Sequence, residues 1–122
     1  MSSGPFPDLQ VVEAGYQLGL RMVQLTYNNQ TAVAAGCTER TNAGVSNFGR
    51  AAIDLINELG IIVDTGHCGK QTTLDACAMS SRPVVASHTA VEAICAHDRC
   101  KSDEELLALA GTGGVIGIVT VP

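Results

Sequence analysis

The chain has 122 residues, 46% hydrophobic and 16% charged, with a net charge of −5 and four aromatic side chains, none of them tryptophan. Val, Ile and Leu recur throughout and polar low-complexity runs are missing, which excludes disordered, collagen-like and coiled-coil chains and fits at most one domain. Seven Lys and Arg stand singly against twelve Asp and Glu, so there is no basic stripe for a phosphate backbone and no nucleic-acid partner is expected.

In chain order, the opening MSSGPFPDLQ has neither a charged start nor an apolar signal core. Residues 8–20 read as a short helix, and residues 22–26 (MVQLT), a compact apolar run, as a strand. Residues 27–47, rich in Asn, Thr, Gly and Ala, form a long loop, and loops of that length inside a domain are usually functional or disordered. Residues 48–59 place Phe48, Ala51, Ala52, Leu55, Ile56 and Leu59 on one helical face, with Gly60 where a left-handed cap belongs. A buried strand at 61–64 (IIVD), a helix at 71–80, a strand at 83–86 (PVVA) and a helix at 89–97 follow. Ser102 and Glu105 have capping-box spacing before ELLALAG, and Gly113 and Gly114 lead into a last strand, VIGIVTV. The longest apolar runs, such as residues 114–119, fall far short of the ~20 residues that span a bilayer, so no membrane segment is expected.

Strands without polar alternation, separated by helices, indicate parallel β/α units covered on both faces, so the fold class is α/β. Four such strands fit a small open sheet or a piece of an eight-stranded barrel, and length alone favours the open sheet. Five cysteines (Cys37, Cys68, Cys77, Cys95 and Cys100) have no regular spacing, which indicates neither a disulfide framework nor a zinc ribbon and favours a reducing compartment.

The histidines carry the strongest chemical signal. His67 follows IIVD by three residues and His88 follows PVVA by two, so both belong at the C-terminal edge of a parallel sheet, where active sites of this class are built. On neighbouring strands, ~4.8 Å apart, two imidazoles at matching depth reach one metal ion. Each taken alone is an ordinary loop residue. A catalytic zinc takes a third protein ligand, for which the chain offers Asp64, Cys68, Asp98 and the other cysteines. Cys68 adjoins His67 too closely in sequence for shared ligation, Cys77 and Cys95 read as buried small hydrophobes, and His97 as a solvated helix-end residue. Arg99, eleven residues after His88, reads either as a surface charge paired with Asp98 or Asp103 or as a fork for a substrate carboxylate. GTGGVIG lacks the third glycine of a phosphate loop, and the serine-hydrolase and Walker motifs are missing.

The runs LTYNNQTAVAAGCTERTNAGVSNFGRAAIDLINELGIIVDTGHCGKQTTLDA and RPVVASHTAVEAICAHDRCKSDEELLALAGTGGVIGI resemble the membrane (renal) dipeptidase family of zinc metallopeptidases, in the amidohydrolase superfamily, from about Val11 to Val119. The family's D-L-S-H stands here as Asp64-Thr65-Gly66-His67 and its P-V-x-x-S-H as Pro83 to His88, which implies that His67 and His88 ligate the same zinc of a binuclear pair. The family arginine that binds the dipeptide carboxylate matches Arg99, with Cys100 in place of the usual Asn. Where many members have L-T-H-N this chain has Leu25-Thr26-Tyr27-Asn28, so Tyr27 takes the substrate-facing place as a hydrogen-bond donor without positive charge.

The resemblance further implies a partial (β/α)8 TIM barrel of about four β/α units, with residues 1–122 as the central segment of a single metallodipeptidase domain. The family's H-x-D pair, bridging glutamate and proton-transferring aspartate find no match here, so no catalytic residue is expected within the segment. The implied function of the parent enzyme is zinc-dependent hydrolysis of dipeptides, and the cysteine usage, not the resemblance, gives the expectation of a cytoplasmic setting. Lactam or ester hydrolysis on the same scaffold, and a non-catalytic α/β interaction module with redox-active cysteines, are the alternatives. With strand edges and an inner face uncovered, the isolated segment is expected to aggregate or form homodimers and to show little dipeptidase activity.

Overall fold

The computed structural model describes residues 8–120. Within them, α1 (Leu9–Gln17), β1 (Met22–Gln24), α2 (Asn47–Leu59), β2 (Ile62–Asp64), α3 (Lys70–Met79), β3 (Val84–Val91), β4 (Cys100–Lys101), α4 (Asp103–Gly111) and β5 (Ile116–Ile118) follow in order. The opening segment lies outside the described residues, as does the end of the predicted last strand at Val121. No helix in the described residues is long and apolar enough to cross a membrane.

The helices begin and end where local chemistry directs. Asp8 accepts from the Val11 N–H at 3.1 Å to start α1, and Ser46 accepts from the Gly49 N–H at 2.9 Å to start α2. Gly60 closes α2 at φ 72°, a conformation a side chain disfavours. The capping box at Ser102 and Glu105 is present, with the Ser102 N–H donating to Glu105 Oε2 at 2.9 Å.

All strand pairs are parallel: β1 with β2, β2 with β3, and β3 with both β5 and β4. The long strands therefore stand side by side in chain order, without the reversal that marks a doubly wound open sheet. The helices pack against one another in the same order, α1 on α2, α2 on α3 and α3 on α4. A sheet advancing one strand at a time under one layer of helices is a sector of a β/α barrel. The topology is the partial (β/α)8 barrel that the resemblance implies, and not the open sheet that length alone favours.

The core lies between that sheet and the helices. Val23, Val63, Val84 and Ala86 meet Val12, Ile53, Ile56 and Leu109, all buried. On α2 the buried stripe is centred on Ala52, Ile53 and Ile56, whereas Ala51, predicted inward, is exposed. The helix is flanked on both sides by neighbours, so Phe48, Leu55 and Leu59 fill the flanks and are half-buried.

Two predicted elements differ from the observed ones. The strand expected to end at residue 86 continues to Val91, and the helix expected at 89–97 is the end of that strand followed by turns. Polar Ser87, His88 and Thr89 sit in a strand because β3 is paired along its length, with β2 at its start, β5 along its middle and β4 at its end. Tertiary pairing here overrides local polarity. Cys95, expected to be buried, is consequently exposed on the turns, while Cys77 on α3 is half-buried.

Candidate metal centre and its cleft

The long segment between β1 and α2 is a packed loop. Thr31 Oγ1 accepts from the N–H groups of Val33 and Ala34 at 3.1 and 3.3 Å, and Val33, Ala34 and Ala35 are fully buried. The loop is tied to the turn after β2 by Cys37 N–H to the His67 carbonyl at 2.9 Å and Gly69 N–H to the Ala35 carbonyl at 3.1 Å. This fastening brings Tyr27 and Asn28 to His67, forty residues on in sequence.

His67 sits in the β2–α3 turn, as expected, and is 7% exposed. His88 lies within β3 instead of after it. Between Ala86, paired with Ile116, and Thr89, paired with Ile118, β3 has one residue more than β5, a β-bulge at Ser87 and His88. The Ser87 N–H is turned to the other side, toward β2, and donates to Asp64 Oδ1 at 2.8 Å.

The two imidazoles meet. Their Nε2 atoms are 2.9 Å apart, with ring centroids at 4.8 Å and planes tilted by 57°. Each remaining nitrogen has a partner: His67 Nδ1 is 2.7 Å from Asn28 Oδ1, and His88 Nδ1 is 2.7 Å from Ser87 Oγ. The Tyr27 ring stacks on His67 with centroids 4.0 Å apart and planes within 22°. Burial, reinforced by the Arg99 charge and by His88, lowers the His67 pKa to about 4, so the ring is neutral at pH 7.

Arg99 is turned inward. Its guanidinium donates to the carbonyl oxygens of Gly66 and His88, and the ion pairs among the described residues are Lys70–Glu104 and Lys101–Glu105. The surface pairing with Asp98 or Asp103 that its position allowed is not formed. Tyr27, His67, His88, His97 and Arg99 line one cleft of about 650 Å³. The structure thus brings all four sequence-predicted site residues together. His97 is exposed on a turn, with its Nδ1 accepting from the Arg99 N–H at 3.1 Å.

The donor set fits part of a zinc site. Two nitrogens each about 2.1 Å from a tetrahedral zinc stand about 3.4 Å apart, so the observed pair needs only a small opening. The other candidate ligands are engaged or remote. Asp64 accepts from Gly66 N–H and from both the N–H and O–H of Ser87. Cys68 is buried, takes a hydrogen bond from Thr26 at 3.4 Å, and its thiol is pushed up by that burial, away from the thiolate that binds metal. Among the described residues no group of three or more His, Cys, Asp or Glu is arranged to hold an ion. Two candidate ligands stand together, and no further one joins them among the described residues. Asn28 and Ser87 went unrecognised in the sequence, although Ser87 stands beside His88 in the P-V-x-x-S-H pattern.

The model of the family described as membrane dipeptidase (peptidase family M19) matches residues 6–122. A protein of Schizosaccharomyces pombe called an uncharacterised dipeptidase is 35% identical over 109 residues, covering 88% of this chain and 27% of that protein. An amidohydrolase from Pseudomonas aeruginosa superposes with TM-score 0.86 at 40% identity, covering 91% of this chain and 34% of the other. The probable dipeptidase PvdM from Pseudomonas aeruginosa superposes with TM-score 0.91 at 28% identity over 98% of this chain and 32% of its own. The chain spans about a third or less of the length of each.

Proposed function

This chain belongs to the membrane dipeptidase family, peptidase family M19, and from that premise we propose that it serves metal-dependent hydrolysis of dipeptides, with residues 1–122 as one segment of a metallodipeptidase barrel. In this reading His67 and His88 are ligands of one zinc of a pair, Arg99 holds the substrate carboxylate, and Tyr27 stands at the cleft mouth as a hydrogen-bond donor. The observation that carries it is the meeting of two imidazole Nε2 atoms at 2.9 Å in the same cleft as an inward-turned arginine.

Each residue's part follows from its surroundings. His67 is neutral at pH 7, the form that ligates. Arg99 uses two of its five N–H donors on the Gly66 and His88 carbonyls, which fixes the guanidinium and leaves three donors for a carboxylate. Tyr27, 63% exposed, keeps its ring on His67 and its hydroxyl free to donate to a developing oxyanion. A zinc ion held by the two imidazoles would supply Lewis acidity and a bound water of lowered pKa.

Zinc uptake by the purified chain, compared with His67→Ala and His88→Ala, tests the assignment. Uptake in the wild type that is lost in either variant is expected. Uptake unchanged by both substitutions would withdraw the two histidines from the metal site.

A further inference from the structure

We infer that Asp64, Ser87 and Asn28 are positioning residues that fix the tautomers of both imidazoles, holding each as its Nδ1–H form so that both Nε2 lone pairs face one point. The inference rests on the ligand reading of His67 and His88 given above and names what makes that pair a prepared receptor for a cation.

The protons can be followed from one end. The Asp64 carboxylate, 4% exposed, can only accept, and it does so from Gly66 N–H at 2.9 Å, Ser87 N–H at 2.8 Å and Ser87 O–H at 2.5 Å. The one hydroxyl proton of Ser87 is thus directed to Asp64. Toward His88 Nδ1, 2.7 Å away, the Ser87 oxygen can only accept, so that nitrogen carries its hydrogen. On the other ring, His67 Nδ1 faces the carbonyl oxygen of the Asn28 amide at 2.7 Å and must donate to it. The Cys37 thiol, 3.5 Å from the same oxygen, also donates to it.

Both Nε2 atoms are then unprotonated, 2.9 Å apart. Two lone pairs at that distance repel, and a cation placed between them removes the repulsion. Outer partners of this kind orient metal-binding histidines and raise their basicity. The β-bulge is the structural source on one side, because without it the neighbouring residues Ser87 and His88 would face opposite sides of the sheet. The fastened loop that carries Asn28 is the source on the other.

Nitrogen-15 NMR of the imidazoles in the metal-free chain at neutral pH, followed by zinc titration, tests this. Both His67 and His88 are expected as Nδ1–H rings in the wild type. Ser87→Ala should move His88 toward the Nε2–H form, leave His67 unchanged, and weaken zinc binding by about 10- to 100-fold, the usual range for loss of such a partner. Ser87→Thr, which keeps the hydroxyl, should restore both readouts. Wild-type rings found as Nε2–H, a result that needs no variant to fold, would overturn the inference, and so would a folded Ser87→Ala with unaltered His88 tautomer and zinc affinity. Nδ1–H rings in a chain that binds no zinc would instead overturn the ligand reading, which keeps the two failures apart.

Discussion

At the scale of single residues, the site depends on where charge is withheld. His67 is held to a pKa of about 4 chiefly by burial, with the Arg99 cation adding to the effect. An unfolded histidine titrates near 6.5, so between pH 6.5 and 4 the unfolded metal-free chain takes up a proton that the folded chain refuses. The His67 contribution to stability is therefore complete above pH 6.5 and is lost as pH falls toward 4, where it levels off. Urea unfolding across that window should show wild-type stability falling more steeply than that of His67→Gln, and parallel curves would contradict the assignment. His67 and His88 were legible from their places after strand ends, whereas Arg99 and Tyr27 were marked as cleft residues by the family resemblance. Sequence left Asn28 and Ser87 unmarked, since a positioning role has no chemical signature of its own and emerges only when the distances are known.

At the scale of elements, β4 and α4 are secured by a buried ion pair. Lys101, 2% exposed, donates to Glu105 Oε1 at 3.1 Å, to Thr73 Oγ1 at 2.7 Å and to the Cys68 carbonyl at 2.9 Å, so one ammonium joins β4, α3, α4 and the turn that carries His67. Lys101→Met is expected to cost about 3–5 kcal/mol, because it leaves a buried carboxylate unpaired. Adding Glu105→Gln removes that charge and should recover part of the loss in a urea melt. An unchanged midpoint in Lys101→Met would show the pair to be dispensable. The helices were legible from caps and periodicity, as Gly60 and the Ser102 box show, but the predicted helix at 89–97 was not formed. Its sequence, TAVEAICAH, has the apolar spacing of a helix, yet Thr89, Ala90 and Val91 are taken into β3 by pairing with β5 and β4.

At the scale of the whole molecule, the sheet has one face under helices and one without that cover. Met22 and Ile62, directly opposite each other on β1 and β2, are 46% and 43% exposed, and Ile118 on β5 is 63% exposed. Gln24 Nε2, on the same side as Met22, is buried without a hydrogen-bond partner. An apolar face of this kind attracts other apolar surface. Light scattering of the purified chain should therefore show self-association, reduced by Ile62→Lys, whereas a monodisperse monomer at high concentration would show that this face is tolerated in water.

What the sequence determined by itself was the α/β class, most helix limits, the family, and the identity of four cleft residues. Those follow from local periodicity, caps and short motifs, which act over a few residues and are written in order along the chain. What only the tertiary structure decided was the length of β3, the bulge that aims His88, and the hydrogen bonds that hold both rings. Each of these depends on partners tens of residues apart, such as Asp64 with Ser87 and Asn28 with His67. Pairing between distant segments sets the energy there, and local pattern does not record it.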